Sequence, residues 1–347
     1  MAATSPAVPV PNGSRHHAIW LLRLVPPGPL GRPLAAAVLL ALTLPVFAVS
    51  GAFGGLFAGG QAWAAALFFC VILAYITPVF HFVTERTEYA FDALVPHLRL
   101  DGSDRARLRG SIRHKSPRWV VGTLGGGVAV WLLQSWVLAG GGSGMFAVLV
   151  GDPLNVTMAV APLFVWCFMI CAVTALVDNA LLFRRLAGCF EVDLLDPRAV
   201  TPFGDMAASS ILVLIGALAS LAIMWLDGGT NPWTTIPGAV LLLGALVFLT
   251  LATLGPIHRV LRDARREELT RVQRRIDAVR AGVDTLDEQA LARLEPLLAY
   301  RREIVSLREW PLDPGVLTRF GLYLFIVPLT WVGAALIEYL VGLFIEG

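Results

Sequence analysis

The run IHRVLRDARREELTRVQRRIDAVRAG, residues 257–282, is charged and helix-periodic, and apolar chain flanks it on both sides. Apolar side chains recur at Leu261, Ala264, Val272, Ile276, Val279 and Val283, the spacing of one helical face. Gly282 and Asp284 close that pattern. Thr285, with Glu288 three residues later, has the form of a capping box that opens a second helix. The second stripe is Leu291, Leu294, Leu298 and Val305, with Pro296 placed to kink it. The spacing predicts a helical hairpin over 258–316, whose first arm, at 1.5 Å per residue, reaches roughly 39 Å.

Outward from this hairpin the chain is a membrane body. Hydrophobic residues make up 56% of the 347 and charged residues 15%, where a soluble domain would carry about 25% charge. Mean hydropathy is +0.71. Seven apolar runs are long enough to span a bilayer, near 34–57, 63–83, 119–138, 156–183, 207–226, 235–257 and 320–344. The fold class expected is therefore all-α, an integral membrane bundle of seven transmembrane helices with the hairpin between spans six and seven. Residues 1–33, rich in Pro, Gly and Ser, read as a disordered tail, 34–257 as a six-span bundle, and 317–347 as the seventh span with a short external end.

The net charge of +2 conceals a strong segregation. Of 27 Lys and Arg residues, 3 precede the first span, 8 lie between spans two and three, 3 between four and five, and 13 between six and seven. None is left for the alternate loops, which carry Asp152 and Asp227. The positive-inside rule puts the N-terminus and the hairpin in the cytoplasm and the C-terminus outside, in a bacterial or archaeal cytoplasmic membrane. Four cysteines fall in spans or on the cytoplasmic side, so free thiols are expected.

Along the spans, Gly51, Gly55 and Gly59 recur every four residues, a spacing that admits close helix approach within the chain or in a homo-oligomer. His81, Glu85 and Glu88, followed by Asp92, share one helical face. Imidazole and carboxylates so spaced could ligate a metal, though no H-E-x-x-H pattern is present; the alternative is a polar face pairing with cytoplasmic arginines. Arg105, Arg107, Arg109, Arg113, Lys115 and Arg118 form a basic patch suited to anionic phospholipid headgroups. Its lack of interleaved aromatics speaks against nucleic acid. Glycine-rich span three, with Gly122 and Gly125 to Gly127, fits close packing or a thin pore wall. Asp178 and Asn179 lie inside span four and Glu338 inside span seven. Intramembrane acids are costly, so they mark an ion or solute path unless they pair locally or snorkel.

The run Leu298-Ala299-Tyr300-Arg301-Arg302, then Arg308-Glu309-Trp310-Pro311, Phe320, and a last span holding Pro328 and Trp331, resembles a family of multi-pass membrane proteins of bacteria and haloarchaea. The resemblance covers about 257–341. It implies that hairpin and last span form one unit, and it brings neither activity nor functional residues.

Several functions are excluded. The single lysine, Lys115, lies in a loop, so the last helix has none to form a retinal Schiff base. Gly141-Gly142-Ser143-Gly144 matches the nucleophile motif of rhomboid-type proteases, but the only late histidine, His258, sits at the opposite membrane face. No phosphate loop, dinucleotide fingerprint or zinc spacing occurs, and no cofactor or enzymatic role is expected. Two readings stay open. The first is a channel or secondary transporter for ions or a small solute, motivated by Pro45, Pro78, Pro162 and Pro328 within spans and by the isolated acids. The second is a sensor or scaffold whose hairpin meets a cytoplasmic protein.

Overall fold

The computed structural model describes residues 17–28, 30–54, 62–138, 152–192, 196–226, 232–281 and 288–306. The expected seventh span, with Glu338 and Pro328, lies outside them, as do Gly55 and Gly59. Within them the chain is built of α-helices: α1 (Gly31–Val49), α2 (Trp63–Leu94), α3 (Gly102–Arg113), α4 (Pro117–Leu138), α5 (Pro153–Gly188), α6 (Thr201–Ser220), α7 (Pro232–Ala281) and α8 (Glu288–Ser306). Six of these, α3 and α8 excepted, are long and apolar enough to cross a membrane. Their outward faces are apolar too. Leu34, Val38, Leu42 and Val46 on α1, and Val240, Leu243, Val247 and Leu251 on α7, are exposed at helical spacing. Such stripes are stable against lipid and unfavourable against water.

Sequence accounts for where these helices begin and end. Pro117, Pro153, Pro202 and Pro232 sit in first turns, where a missing N–H costs nothing. α1 stops because Gly51 takes φ +86°. The Gly51 and Ala52 amides then return to the Ala48 and Phe47 carbonyls, a Schellman end with Phe47 and Ala52 buried together. This corrects two expectations. The first span ends near Val49 rather than at 57, and Gly51 terminates a helix instead of belonging to a helix-packing stripe. Pro45, Pro78, Pro162 and Pro256 all lie inside continuous helices.

α2 packs on α1, α5 and α6, and α7 closes against α5 and α6. α4 lies on α5, where Gly127 lets the backbones meet: a Cβ there would come 2.7 Å from Cα of Cys167. Gly122 and Gly125 meet nothing within 4 Å. The main core contains Phe69, Phe80, Trp166, Phe168, Leu176, Leu214 and Leu249. A second cluster at one end joins Phe91, Ile112, Phe183, Phe203 and Ile257.

The stretch 1–33 is not disordered throughout. His17–Ala18 pairs antiparallel with His114–Lys115 as a two-stranded ribbon (β1, β2), and the Ile19 amide donates to the Arg113 carbonyl at 3.0 Å. Ile19 and Leu21 are fully buried, and Trp20 meets Phe168 edge to face. Burial of these apolar side chains offsets the ordering entropy that the segment's small polar residues suggested it could not.

α7 is one helix of 50 residues, roughly 75 Å long. It passes from the apolar bundle into the charged segment without a break at Pro256. Beyond the bundle α8 lies against it. Val272, Ile276, Leu294 and Ile304 are buried between the two, and Arg265 donates to the Ile304 and Val305 carbonyls.

Candidate functional site

Two features stand at opposite ends of the bundle. The first is a belt of charge. α2 has 32 residues, about 48 Å, so its last turns project beyond the roughly 30 Å apolar layer and carry Glu85, Glu88 and Asp92 outward on one face. Each acid meets a base from another segment. Arg32 bonds Glu85, Arg113 reaches Glu88 at 2.5 Å, and Arg109 grips Asp92 with two bonds of 2.8 and 2.9 Å. The Asp92 carboxylate holds the Arg109 guanidinium above its ordinary range. Arg99 bonds Glu191 across the same end.

Lys115 sits 3.0 Å from Asp178 and 5.7 Å from the Trp119 ring centroid. It is the most sheltered of the paired bases, its side chain 11% exposed. The others are open enough to contribute at most about 1 kcal/mol each.

The belt gathers many of the residues singled out by sequence. His81 Nδ1 is 3.4 Å from Glu85 Oε1 but makes no hydrogen bond, while Glu85 and Glu88 are engaged by arginines. Among the described residues no three of His, Cys, Asp and Glu come together as a metal set. Of the basic patch, Arg109, Arg113 and Lys115 are paired with acids on other helices and Arg107 with Asp104 of its own turn. Arg105 has a buried Nε without a partner, and Arg118 is exposed. Asn179 is buried beside Asp178.

At the other end is a chamber of about 370 Å³ lined by α2, α4, α5, the α6 end and α7. Its walls are mainly apolar, with Phe68, Trp131, Met158, Met169 and Met224 prominent. Among the described residues no acid or base lines it. Its polar groups are Gln134, Ser135, Asn155 and Thr234.

Gln134 is fixed at both atoms: its Nε2 donates to the Thr234 carbonyl at 3.0 Å, and its Oε1 accepts from Trp166 Nε1 at 2.5 Å. Trp131 donates to the Ala159 carbonyl at 2.8 Å. Beneath the chamber lies a void of only about 30 Å³, walled by Tyr75, Ile76, Phe80, Val173, Leu176 and Leu214 among others. It shares Ile72, Met169, Ala217 and Leu242 with the chamber, on the side of the belt. The chamber was not legible as a unit in the sequence, although Gln134 and Ser135 inside an apolar span were its one visible signal.

Fold and site together define a multi-pass α-helical membrane protein with an uncharged chamber at one end and an ion-paired belt at the other. No family model, curated protein or solved structure matches the chain.

Proposed function

We propose that this protein is a secondary carrier of the cytoplasmic membrane that accepts a small, neutral, largely apolar solute in the chamber. The observation that carries the reading is the chamber itself: about 370 Å³, apolar-walled, with a few polar groups of which Gln134 is held at both ends. Volume and lining fit a small-molecule site. The absence of charge among its described lining residues favours a neutral solute over an ion. With the N-terminus inside and seven spans, the chamber opens outward and the belt closes the cytoplasmic side. In that arrangement Asp178 acts in transport as part of the closure, because the opposite state requires Lys115 and Asp178 to separate. Membership of the bacterial and haloarchaeal multi-pass family is part of the same proposal.

Counterflow in liposomes tests the reading, with a panel of neutral aromatic and aliphatic solutes beside inorganic ions. Wild type should exchange one class of neutral solute, and Ala65→Phe, which fills the chamber wall, should abolish that exchange. Exchange unaffected by Ala65→Phe, or flux confined to ions, rejects the assignment.

A second reading has its own support. Thr234, Gly238 and Leu242 of α7 line the chamber, and the same unbroken helix carries Val272 and Ile276 into the contact with α8. A rigid helix of this kind links chamber occupancy to a cytoplasmic hairpin, as a sensor or scaffold needs. Solute binding without exchange, together with hairpin-dependent capture of a cytoplasmic protein, supports this alternative.

A further inference from the structure

We propose that the groove between the end of α5 and the middle of α7 holds the phosphate of an anionic phospholipid, with an acyl chain along its apolar floor. The groove measures about 320 Å³ and is lined by Arg184, Gly188, Leu251, Ala252, Pro256, Arg259 and Val260. It lies at the belt end, where Arg99 N donates to the Cys189 carbonyl and Phe183 and Ile257 share a cluster. The two guanidiniums come from different helices and flank one opening. Both are exposed, and among the described residues neither takes part in an ion pair.

The contrast with Arg105 to Arg118 is chemical. Arg107, Arg109, Arg113 and Lys115 are already paired with acids, so they offer little net charge to a headgroup. Arg184 and Arg259 keep theirs, and a guanidinium fork fits phosphate oxygens.

Three features select a lipid over free phosphate. Leu251, 67% exposed, continues the groove up the outward apolar stripe of α7. Val260 and Pro256 give the floor no competing donor. Pro256 also has no N–H to return to the Ala252 carbonyl, which leaves that oxygen without its usual helical donor at the groove wall. A headgroup hydroxyl can supply one.

The test uses the whole protein in detergent, with retained lipid counted by native mass spectrometry after incubation with equimolar phosphatidylglycerol and phosphatidylcholine. Wild type should retain phosphatidylglycerol preferentially. Arg184→Gln with Arg259→Gln removes both guanidiniums and should lower that preference on the order of thirtyfold, whereas Arg107→Gln should leave it unchanged. Leu251→Glu, at an outward position that does not disturb the core, should also reduce lipid retention. An unchanged preference in the double variant, with its thermal midpoint intact, overturns the assignment. So does displacement of the bound lipid by inorganic phosphate as readily as by added phosphatidylglycerol, because the site then takes a free anion.

Discussion

Lys115, the only lysine in the chain, places its Nζ 3.0 Å from Oδ2 of Asp178. An aspartate near the end of an apolar helix thereby has a counter-charge from the loop strand β2 rather than from Arg184 or Arg185 on its own helix. The ribbon between β1 and β2 positions that lysine, so the amino-terminal segment and the α5 acid form one structural unit.

Removing one partner alone should therefore cost more than removing both. Lys115→Met leaves Asp178 in a half-sheltered site without its counter-charge and should lower stability by about 1–3 kcal/mol, less than the roughly 3–5 typical of a fully buried pair. Lys115→Met combined with Asp178→Leu should recover much of that loss. Thermal unfolding of the four proteins in one detergent completes the cycle. Additive losses would mean that the two residues are not coupled.

Tyr75 of α2 packs closely against Gly216 of α6. The tyrosine hydroxyl donates to the Val213 carbonyl at 3.0 Å, and a Cβ at Gly216 would stand 2.1 Å from that hydroxyl and 2.7 Å from ring carbon Cζ. The ring is partly buried and held by that bond, so it cannot step aside as a flexible chain end can. Gly216→Ala should cost about 1–3 kcal/mol from overpacking, while Tyr75→Phe, losing one hydrogen bond, should cost about 1 kcal/mol. The order of the two thermal midpoints checks the geometry: Gly216→Ala is expected to melt lower.

The helices were legible because membrane spans announce themselves by length and composition, and the period of 257–305 announces the two helices that pack beyond the bundle. What joined them was not. The ribbon involves two residues on each strand, too few for any periodic signal, and Gly51 marks a helix end only once its left-handed φ is known. His81, Glu85, Glu88 and Asp92 were visible as one face, but their partners Arg32, Arg109 and Arg113 lie 53, 17 and 25 residues away. The chamber draws several residues from each of five elements, and pooling them requires the packing itself.

Gln134 ties three of those elements together through Trp166 and Thr234. Gln134→Leu removes the acceptor of a sheltered indole N–H and the donor to a backbone carbonyl, and it should destabilise by about 1–3 kcal/mol. Gln134→Glu keeps the acceptor oxygen but brings a charge into an apolar wall and should be the worse of the two. Tryptophan emission reports the change directly, since Trp166 loses its partner only in the leucine variant: a spectral shift is expected for Leu, and identical spectra for wild type and Leu would remove Gln134 from this role.

Ile276 is 3% exposed between α7 and α8, and Arg274, two residues earlier, faces outward. Ile276→Asp should cost a few kcal/mol by stranding a carboxylate among Leu269, Leu294 and Ile304; Arg274→Asp should stay within about 0.5 kcal/mol. Limited proteolysis separates them. Accelerated cleavage within α8 is expected for the first variant alone, and equal cleavage of both would indicate that α8 is only loosely held on α7.

The orientation can be read with thiols the chain already has. Cys189 is exposed at the belt end, while Cys70 and Cys171 are buried and Cys167 is partly so. If the basic belt faces the cytoplasm, an impermeant maleimide added to intact cells should leave Cys189 unmodified until the membrane is permeabilised. Asn155→Cys, exposed on the chamber wall at the opposite end, should instead react from outside. Because the two positions lie at opposite ends of α5, one helix supplies both ends of the measurement, and an unfolded population would make both thiols reactive together. The reverse pattern, with Cys189 labelled in intact cells and the thiol introduced by Asn155→Cys protected, would invert the chamber, turning the proposed outward-facing site into one that loads from the cytoplasm.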